Sequence, residues 1–279
     1  MSELMRCYQV RQLEDKIEAS VERIPTTDLP EGEVRIEVAY SSLNYKDALA
    51  ATGNPGVVRS FPHVPGIDAA GIVIDSNSPV CQKGDPVLVT GYELGAGHWG
   101  GWAEQISVPA EWVIPLPNGL TLEGSMRIGT AGLTAAMSVE SLQNHQITPD
   151  CGEVVVTGAT GGVGTLACKI LAQLGYEVVA VTGKADREEW LLKLGVKTVC
   201  GREILEDDSK KPLLKARWAG AIDTVGGNPL CNIIRATDMR GCVTACGMVA
   251  GPQIPLSVFP FILRGVTLTG IDSAHYPRE

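Results

Sequence analysis

One glycine-rich segment, Val154–Gly164, constrains the fold of this 279-residue chain more than any other feature. An apolar run, VVVT, passes directly into the small residues GATGGVG, a helical pattern follows over Gly164–Leu174, and a second apolar run covers Glu177–Thr182. This order of strand, glycine turn and helix presents free backbone N–H groups where a pyrophosphate can approach closely. The spacing is not the strict GxGxxG, so the setting of the motif favours a dinucleotide-binding turn over a purely structural one.

The residues after the second apolar run distinguish between the two nicotinamide cofactors. An NAD site of this kind has Asp or Glu at the tip of that strand, where it binds the ribose 2′-hydroxyl. Here the strand is followed by Thr182, Gly183 and Lys184, without an acid. Hydroxyl and ammonium groups favour a 2′-phosphate, and Arg187 or Arg202 could supply a second cation. We therefore predict NADP(H), with a solvated loop lysine as the alternative interpretation of Lys184.

The rest of the sequence predicts two lobes of different kinds. Up to about residue 125, short alternating runs separated by Gly, Pro and Asn indicate an antiparallel, barrel-like lobe. Beyond it, strands alternate with helices, which is typical of a doubly wound parallel sheet. The strand candidates of the first lobe are Glu33–Ala39, Ala69–Ile74, Pro86–Thr90 and Ala103–Val108. Those of the second, besides the two runs above, are Lys197–Cys200, Ala221–Val225, Cys242–Cys246 and Val266–Gly270, with another helix over Arg187–Leu194.

Composition narrows the classes of partner and compartment. The net charge is −9, from 32 acidic and 23 basic residues, and no long basic run occurs, which argues against a nucleic-acid partner. The eight cysteines form no CxxC pair and no zinc spacing, so we expect reduced, intracellular thiols. The start MSELMRCYQV has no apolar signal core, and no apolar stretch is long enough to span a membrane. A soluble cytoplasmic protein is the expectation.

Several segments together resemble one family, the acrylyl-CoA reductase/quinone oxidoreductase branch of the zinc-free medium-chain dehydrogenase/reductase superfamily. The resemblance covers nearly the whole chain, and the segments SSLNYKDAL and PFILRG are specific to this branch. It implies a GroES-like β-barrel substrate lobe over residues 1–125, a Rossmann NADP-binding lobe over 126–271, and an active site in the cleft between them. The segments are Ser41–Leu49, Pro65–Gly71, Trp99–Glu104, Gly129–Gly132, Ala221–Gly227, Pro260–Gly265 and Gly270–Ser273.

The resemblance also implies which residues contact the cofactor. Relatives continue for several dozen residues that return to the substrate lobe, so residues 272–279 would be the start of such a segment. Activity of a chain that ends at Glu279 is therefore in question. Homodimers are common among relatives, and a homodimer here is an expectation by analogy. The implied NADPH contacts are Tyr45, Thr160, Gly161, Gly162, Val163, Thr182, Gly183, Lys184, Arg202, Met248, Ile262 and Ser273.

A catalytic zinc ion is not expected, which restricts the chemistry. Zinc-dependent relatives have a Cys where this chain has Asn44, and a GHE motif where it has Gly66-Ile67-Asp68. Without that Lewis acid, hydride addition to a conjugated acceptor remains feasible if donors stabilise the developing enolate oxygen. Tyr45 would be a donor or nicotinamide contact, Asn44 would orient through its amide, and Asp47 would hold neighbouring groups. The alternative is that all three only cap a short helix.

Three functions remain open on the sequence. The first is NADPH-dependent reduction of an α,β-unsaturated acyl-CoA such as acrylyl-CoA, and the second is reduction of quinones or enones. The third is cofactor binding without turnover. Arg264, interpreted as lying in a turn before the last strand, could contact a cofactor or CoA phosphate or be an ordinary surface residue.

Overall fold

The computed structural model describes residues 3–276, which form two compact units. Unit 1 comprises residues up to Thr130 together with 274–276, and unit 2 comprises Ala131–Ser273. The division therefore lies slightly beyond the boundary at residue 125 that the sequence predicts. Of the predicted return segment 272–279, residues 277–279 lie outside the described part of the chain.

Unit 1 contains a β-hairpin and an antiparallel sheet. In the described chain, β1 pairs with β2, and a five-stranded sheet has the order β6-β3-β4-β5-β7. The elements of unit 1 are β1 (Leu4–Leu13), β2 (Lys16–Pro25), β3 (Val34–Tyr40), α1 (Tyr45–Ala51), β4 (Asp68–Ser76), β5 (Pro86–Thr90), β6 (Gln105–Val108), β7 (Ile114–Pro115) and the beginning of α2 (Leu122–Asn144).

The five-stranded sheet forms where the sequence alternates. Val34 and Ile36 of β3 are buried, whereas Glu37 is exposed, so one face of the strand packs into the core of unit 1. The predicted strand Pro86–Thr90 has the observed bounds, and the other three differ by a few residues. The β1–β2 hairpin is absent from the prediction because its turn, Glu14-Asp15, contains no Gly, Pro or Asn, and because β2 is exposed over nearly its whole length.

Unit 2 is built on a parallel sheet of six strands within the described residues, in the order β10-β9-β8-β11-β12-β13. All its strand pairs are parallel, which confirms the predicted Rossmann-like architecture. Besides the rest of α2, its elements are β8 (Glu153–Thr157), α3 (Gly162–Gln173), β9 (Glu177–Val181), α4 (Glu188–Lys193), β10 (Thr198–Cys200), β11 (Trp218–Asp223), α5 (Gly227–Ala236), β12 (Thr237–Ala245), α6 (Phe259–Arg264) and β13 (Thr267–Gly270).

The strand order determines where a ligand can bind in unit 2. The chain runs outward from β8 to β9 and β10 on one side, and returns to β11 on the other side of β8. Such a switch point leaves a crevice at the carboxyl ends of the two central strands. Val154, Val155 and Val156 of β8 are completely buried because side chains pack on both faces of the sheet.

Helix α2 is interrupted at Gly129, where φ is 50° and ψ is −161°. A Cβ atom at this position would lie 2.5 Å from Ser42 Oγ and 2.7 Å from Asp68 Oδ2, so only glycine admits this close approach. Helices α2, α5 and α6 are absent from the prediction, since glycine and proline obscure their periodicity. Arg264 consequently ends α6, and its interpretation as a turn residue is wrong. No helix within residues 3–276 combines the length and apolar character needed to cross a membrane.

Candidate functional site

The glycine turn after β8 has the geometry of a nucleotide-binding turn. Gly158 has φ of +58°, and a Cβ atom at Gly164 would lie 2.3 Å from the Gly158 carbonyl oxygen. Side chains are therefore excluded from both positions, and β8 passes into α3 at close range. The first backbone N–H groups of α3 have no partner within the helix and can donate to an anion in front of it.

A cavity of about 1010 Å³ opens at the carboxyl ends of β8, β9 and β11. It brings together half of the predicted cofactor residues: Thr160, Gly161, Thr182, Gly183, Lys184 and Arg202. Two threonine hydroxyls, Thr160 Oγ1 and Thr182 Oγ1, are hydrogen-bonded at 3.0 Å, and the Lys184 backbone N–H donates to Thr182 Oγ1 at 3.1 Å. The turns after the first two strands are thus joined by hydroxyl groups along one wall of the cavity.

Two cations line this wall, and no acidic residue follows directly after β9. A Cβ atom at Gly183 would lie 2.7 to 2.9 Å from three guanidinium atoms of Arg202, so the guanidinium lies against the Gly183 backbone. Lys184 lines the same cavity. Arg187, the other candidate for a second cation, instead pairs with Asp186 at 3.4 Å and does not line the cavity. Lys184 and Arg202 therefore form the cationic wall.

The remaining predicted cofactor residues do not line this cavity. Tyr45 belongs to unit 1, where its side chain is 63% exposed. In unit 2, Ser273 Oγ is hydrogen-bonded to Thr134 Oγ1 at 2.6 Å. The unit 2 residues that do not line the cavity are Gly162, Val163, Met248, Ile262 and Ser273. Their contact with a cofactor stays a prediction.

Sequence reasoning missed one wall of the cavity. The segment 206–212 lines it, as do the segment 228–229 and Asn232 and Arg235 of α5. Residues 206–212 form neither helix nor strand, so no periodicity identifies them. The segment lies between two predicted strands, and loops in that position reach the ligand in an open parallel sheet. This position was the only signal that could have identified it.

A buried carboxylate holds the turn between β11 and α5. Asp223 accepts hydrogen bonds from Thr157 Oγ1 at 2.8 Å and from the Gly226 N–H at 2.6 Å. Burial raises the pKa of Asp223 above its ordinary value, while these hydrogen bonds act in the opposite direction. Since Thr157 also lines the cavity, the Asp223 carboxylate fixes the cavity floor where two neighbouring strands end.

In unit 1, the candidate residues lie at the start of α1. Asp47 is fully buried and accepts hydrogen bonds from the N–H groups of Asn44 at 2.7 Å, Ile67 at 2.8 Å and Gly66 at 3.1 Å. Burial raises the pKa of Asp47, and the backbone N–H groups of Asn44 and Ile67 oppose that effect. Its two oxygens are occupied by the backbone, so Asp47 acts as a positioning residue that ties α1 to the loop before β4.

The side chain of Asn44 belongs to a polar network that sequence reasoning did not identify. Asn44 Nδ2 donates to Asp68 Oδ2 at 2.9 Å. The buried Asp68 carboxylate also accepts from Thr130 N at 3.0 Å and from Thr130 Oγ1 at 2.5 Å. Asn44 is also the N-cap residue of α1. The capping interpretation therefore applies to its backbone, whereas its side-chain amide belongs to the polar network. The sequence signals for Asp68 were its place in the Pro65–Gly71 segment and its match to the Glu of the GHE motif in zinc-dependent relatives.

Comparisons with known proteins agree with both units. Residues 30–118 match the alcohol dehydrogenase GroES-like domain, and residues 162–279 match the zinc-binding dehydrogenase family. The acrylyl-CoA reductase AcuI of Ruegeria pomeroyi is 45% identical over 262 residues, which cover 94% of this chain and 79% of that protein. This chain belongs to the zinc-free medium-chain dehydrogenase/reductases. Within residues 3–276, no group of three His, Cys, Asp or Glu side chains is arranged to hold a metal ion.

Two further members of the family have solved structures with a nucleotide. The putative quinone oxidoreductase YhfP of Bacillus subtilis is 45% identical over 279 residues, covering 100% of this chain and 84% of that protein. Its crystal structure, with NAD bound, superimposes with a TM-score of 0.95. The Escherichia coli YhdH structure with NADPH bound is 46% identical, with a TM-score of 0.94, covering 98% of this chain and 84% of that one.

Proposed function

We propose that this protein reduces the C=C bond of an α,β-unsaturated acyl-CoA of the acrylyl-CoA type, using NADPH. The observation that carries the proposal is the cationic wall of Lys184 and Arg202 at the end of β9, where an NAD site has an acid. The relative named acrylyl-CoA reductase supports the choice of substrate, at 45% identity. A solved relative with NADPH bound supports the choice of cofactor.

The residues present fit NADPH. The turn at Gly158 and Gly164 leaves backbone N–H groups of α3 open to a pyrophosphate, since no Cβ atom could occupy that space. Lys184 and Arg202 supply positive charge for a 2′-phosphate, and the hydroxyls of Thr160 and Thr182 supply donors. A cavity of about 1010 Å³ is large enough for a nucleotide cofactor.

When bound, NADPH would supply the hydride for the β-carbon of the acceptor and would become NADP⁺. Negative charge would build on the thioester oxygen as the hydride is added, and a proton taken up from water at the α-carbon would complete the reduction. Asn44 would orient and stabilise that oxygen, because its amide has a second N–H beyond the one donated to Asp68. The Tyr45 hydroxyl is a further candidate donor, since it is exposed at the first turn of α1. Asp47 and Asp68 act through Asn44.

Reduction of quinones or enones is the second candidate, and the relative YhfP favours it because it is named a putative quinone oxidoreductase. Oxidation of NADPH should be followed in parallel with acrylyl-CoA, crotonyl-CoA and a benzoquinone. A higher kcat/KM for the thioesters supports our proposal, and a higher kcat/KM for the quinone replaces it with the second candidate. Tight NADPH binding without oxidation by any acceptor would instead leave a cofactor-binding protein without turnover.

The proposal includes a homodimer. Strand β13 is an outer strand of the described sheet, and an outer strand can pair with another chain. The preceding helix α6 exposes Phe259, Ile262 and Leu263 by 46%, 72% and 54%. Light scattering during gel filtration should give twice the chain mass for the wild type and the chain mass for Leu263→Glu. A monomeric wild type would contradict this part of the proposal.

We also infer a cytoplasmic location from the cysteines. All eight lie within the described residues and none is in a disulfide, as expected in a reducing compartment. Fractionation of cells that express the native protein should recover it with cytoplasmic markers, and recovery in a secreted fraction would contradict the inference.

A further inference from the structure

Arg235 is a nearly buried cation that lines the nucleotide cavity, and its side chain is only 9% exposed. Its Nη1 donates to Asn232 Oδ1 at 2.7 Å, one turn earlier in α5. Its other donors reach the segment 206–212, where Nε donates to the Lys211 carbonyl oxygen at 2.8 Å and Nη2 to the Ser209 carbonyl oxygen at 2.7 Å. A guanidinium can be retained in a buried position only when its donors are satisfied in this way.

The segment 206–212 depends on Arg235 for its conformation. It forms neither helix nor strand, so no ladder of backbone hydrogen bonds fixes it. Nevertheless it contributes one wall of the cavity that Lys184 and Arg202 line on another side. Two backbone carbonyls of the segment accept from Arg235, and these contacts set the distance between the segment and α5.

Arg235 also neutralises an acid in that wall. Asp207 Oδ1 accepts from Arg235 Nη2 at 3.1 Å and from Ser209 Oγ at 2.6 Å. The hydrogen bond from Ser209 and the charge of Arg235 lower the pKa of Asp207, so this carboxyl is ionised at neutral pH. Without Arg235, an unpaired carboxylate would face a cavity that has to accept phosphates.

We propose that Arg235 is a positioning residue for the nucleotide: it holds the segment 206–212 as a wall of the cavity and neutralises Asp207. This inference rests on the proposed function, in which the cavity binds NADPH. Arg235 itself contacts no reacting atom in this scheme. Its loss should therefore change the affinity for NADPH more than it changes kcat.

The test is titration of NADPH fluorescence with the wild type, Arg235→Met and Arg235→Lys. Arg235→Met should raise the Kd for NADPH by about tenfold, because a set of charge-assisted hydrogen bonds is lost. Arg235→Lys should raise it by a smaller factor, because the lysine ammonium still neutralises Asp207. The kcat at saturating NADPH should fall by a much smaller factor than the Kd rises. Adding Asp207→Asn to Arg235→Met should recover part of the affinity, since it removes the unpaired carboxylate.

Arg264→Met is the matched control. Arg264 also donates to backbone carbonyls, at 2.6 Å to Leu214, at 2.9 Å to Thr237 and at 3.1 Å to Arg235, but it touches only the backbone of Arg235 and does not line the cavity. We expect a lower melting temperature with an unchanged Kd for NADPH. If Arg235→Met behaves in the same way, Arg235 is a structural residue only and the inference is overturned.

A proteolysis measurement on the wild-type protein tests the inference even if the variants do not fold. The bond after Lys210 lies in the segment 206–212 and should be protected from trypsin by saturating NADPH. Cleavage at an unchanged rate while NADPH is bound would overturn the inference. A wild type that does not bind NADPH would instead contradict the proposed function, so the two failures are distinguishable.

Discussion

The two units hold their candidate functional groups with charges of opposite sign. In unit 1, the buried carboxylates Asp47 and Asp68 fix neutral donors, among them the Asn44 amide. In unit 2, the cations Lys184 and Arg202 line a cavity that suits an anionic ligand. The difference indicates that unit 1 positions groups for the reaction and unit 2 binds the nucleotide. Changes in the carboxylate network should alter turnover and folding, whereas changes in the cationic wall should alter nucleotide affinity.

The largest effect that tests this division is expected from Lys184→Glu. The variant places a carboxylate where the 2′-phosphate is proposed to bind, so the Kd for NADPH should rise by about 100-fold. NADH lacks that phosphate, and its Kd should change far less. Isothermal titration with both nucleotides measures the two values.

Lys193→Glu is the matched charge reversal for this experiment. Lys193 pairs with Glu189 on the exposed face of α4 and does not line the cavity. We expect it to leave the affinity for both nucleotides unchanged. Equal losses of NADPH and NADH affinity in Lys184→Glu would refute the assignment of the cationic wall.

In unit 1, Asp47→Asn should mainly reduce stability. An amide can replace only one of the two carboxylate oxygens, so an N–H donor of the substituted side chain faces a backbone N–H donor. We expect the free energy of unfolding to fall by about 2 kcal/mol. Urea denaturation measures the change, with Asp75→Asn on the exposed end of β4 as control. Equal stability of both variants would show that the buried carboxylate does not hold α1.

Asp68→Ala should separate turnover from affinity. Without the carboxylate, the Asn44 amide loses its partner, and kcat with the enoyl thioester should fall by about tenfold while the Kd for NADPH stays unchanged. Asp68→Asn should retain most of the activity, because one amide oxygen can still accept from Asn44. A loss of NADPH affinity in Asp68→Ala, or full activity in that variant, would contradict the division between the units.

The parts of the molecule that sequence could predict are those determined by neighbours along the chain. Strand, glycine turn and helix follow one another within residues 153–173, and the cavity wall from Thr160 to Lys184 comes from two successive turns. Helix α2 was missed because Gly129 interrupts it, and the β1–β2 hairpin because no Gly, Pro or Asn marks its turn at Glu14-Asp15. The local signals that identify the other elements are interrupted or missing in these two.

The network of unit 1 could not be predicted for a different reason. Asp68 joins residues 24 positions before it and 62 positions after it in the chain. No spacing rule relates groups at such separations, and the contact depends on the close approach that Gly129 allows. Arg235 and the segment 206–212 are a second case, since their contacts also span 24 to 28 positions. These contacts are visible only in the fold.

The smallest expected effect is a pH dependence that distinguishes Asp47 from an ordinary surface acid. Burial raises the folded-state pKa of Asp47 above its ordinary value of 3.8, so the folded protein holds more protons than the unfolded chain in the window starting near that value. Stability contributed by this group is therefore present at lower pH and declines as pH rises through the window. The contributions of all other titratable groups to the pH dependence cancel when the wild type is compared with Asp47→Asn. We expect the stability advantage of the wild type to shrink as the pH rises from about 4 to about 7. A stability advantage of the wild type that grows with pH would contradict this prediction. It would mean that the three backbone N–H groups stabilise the ionised carboxylate by more than burial destabilises it.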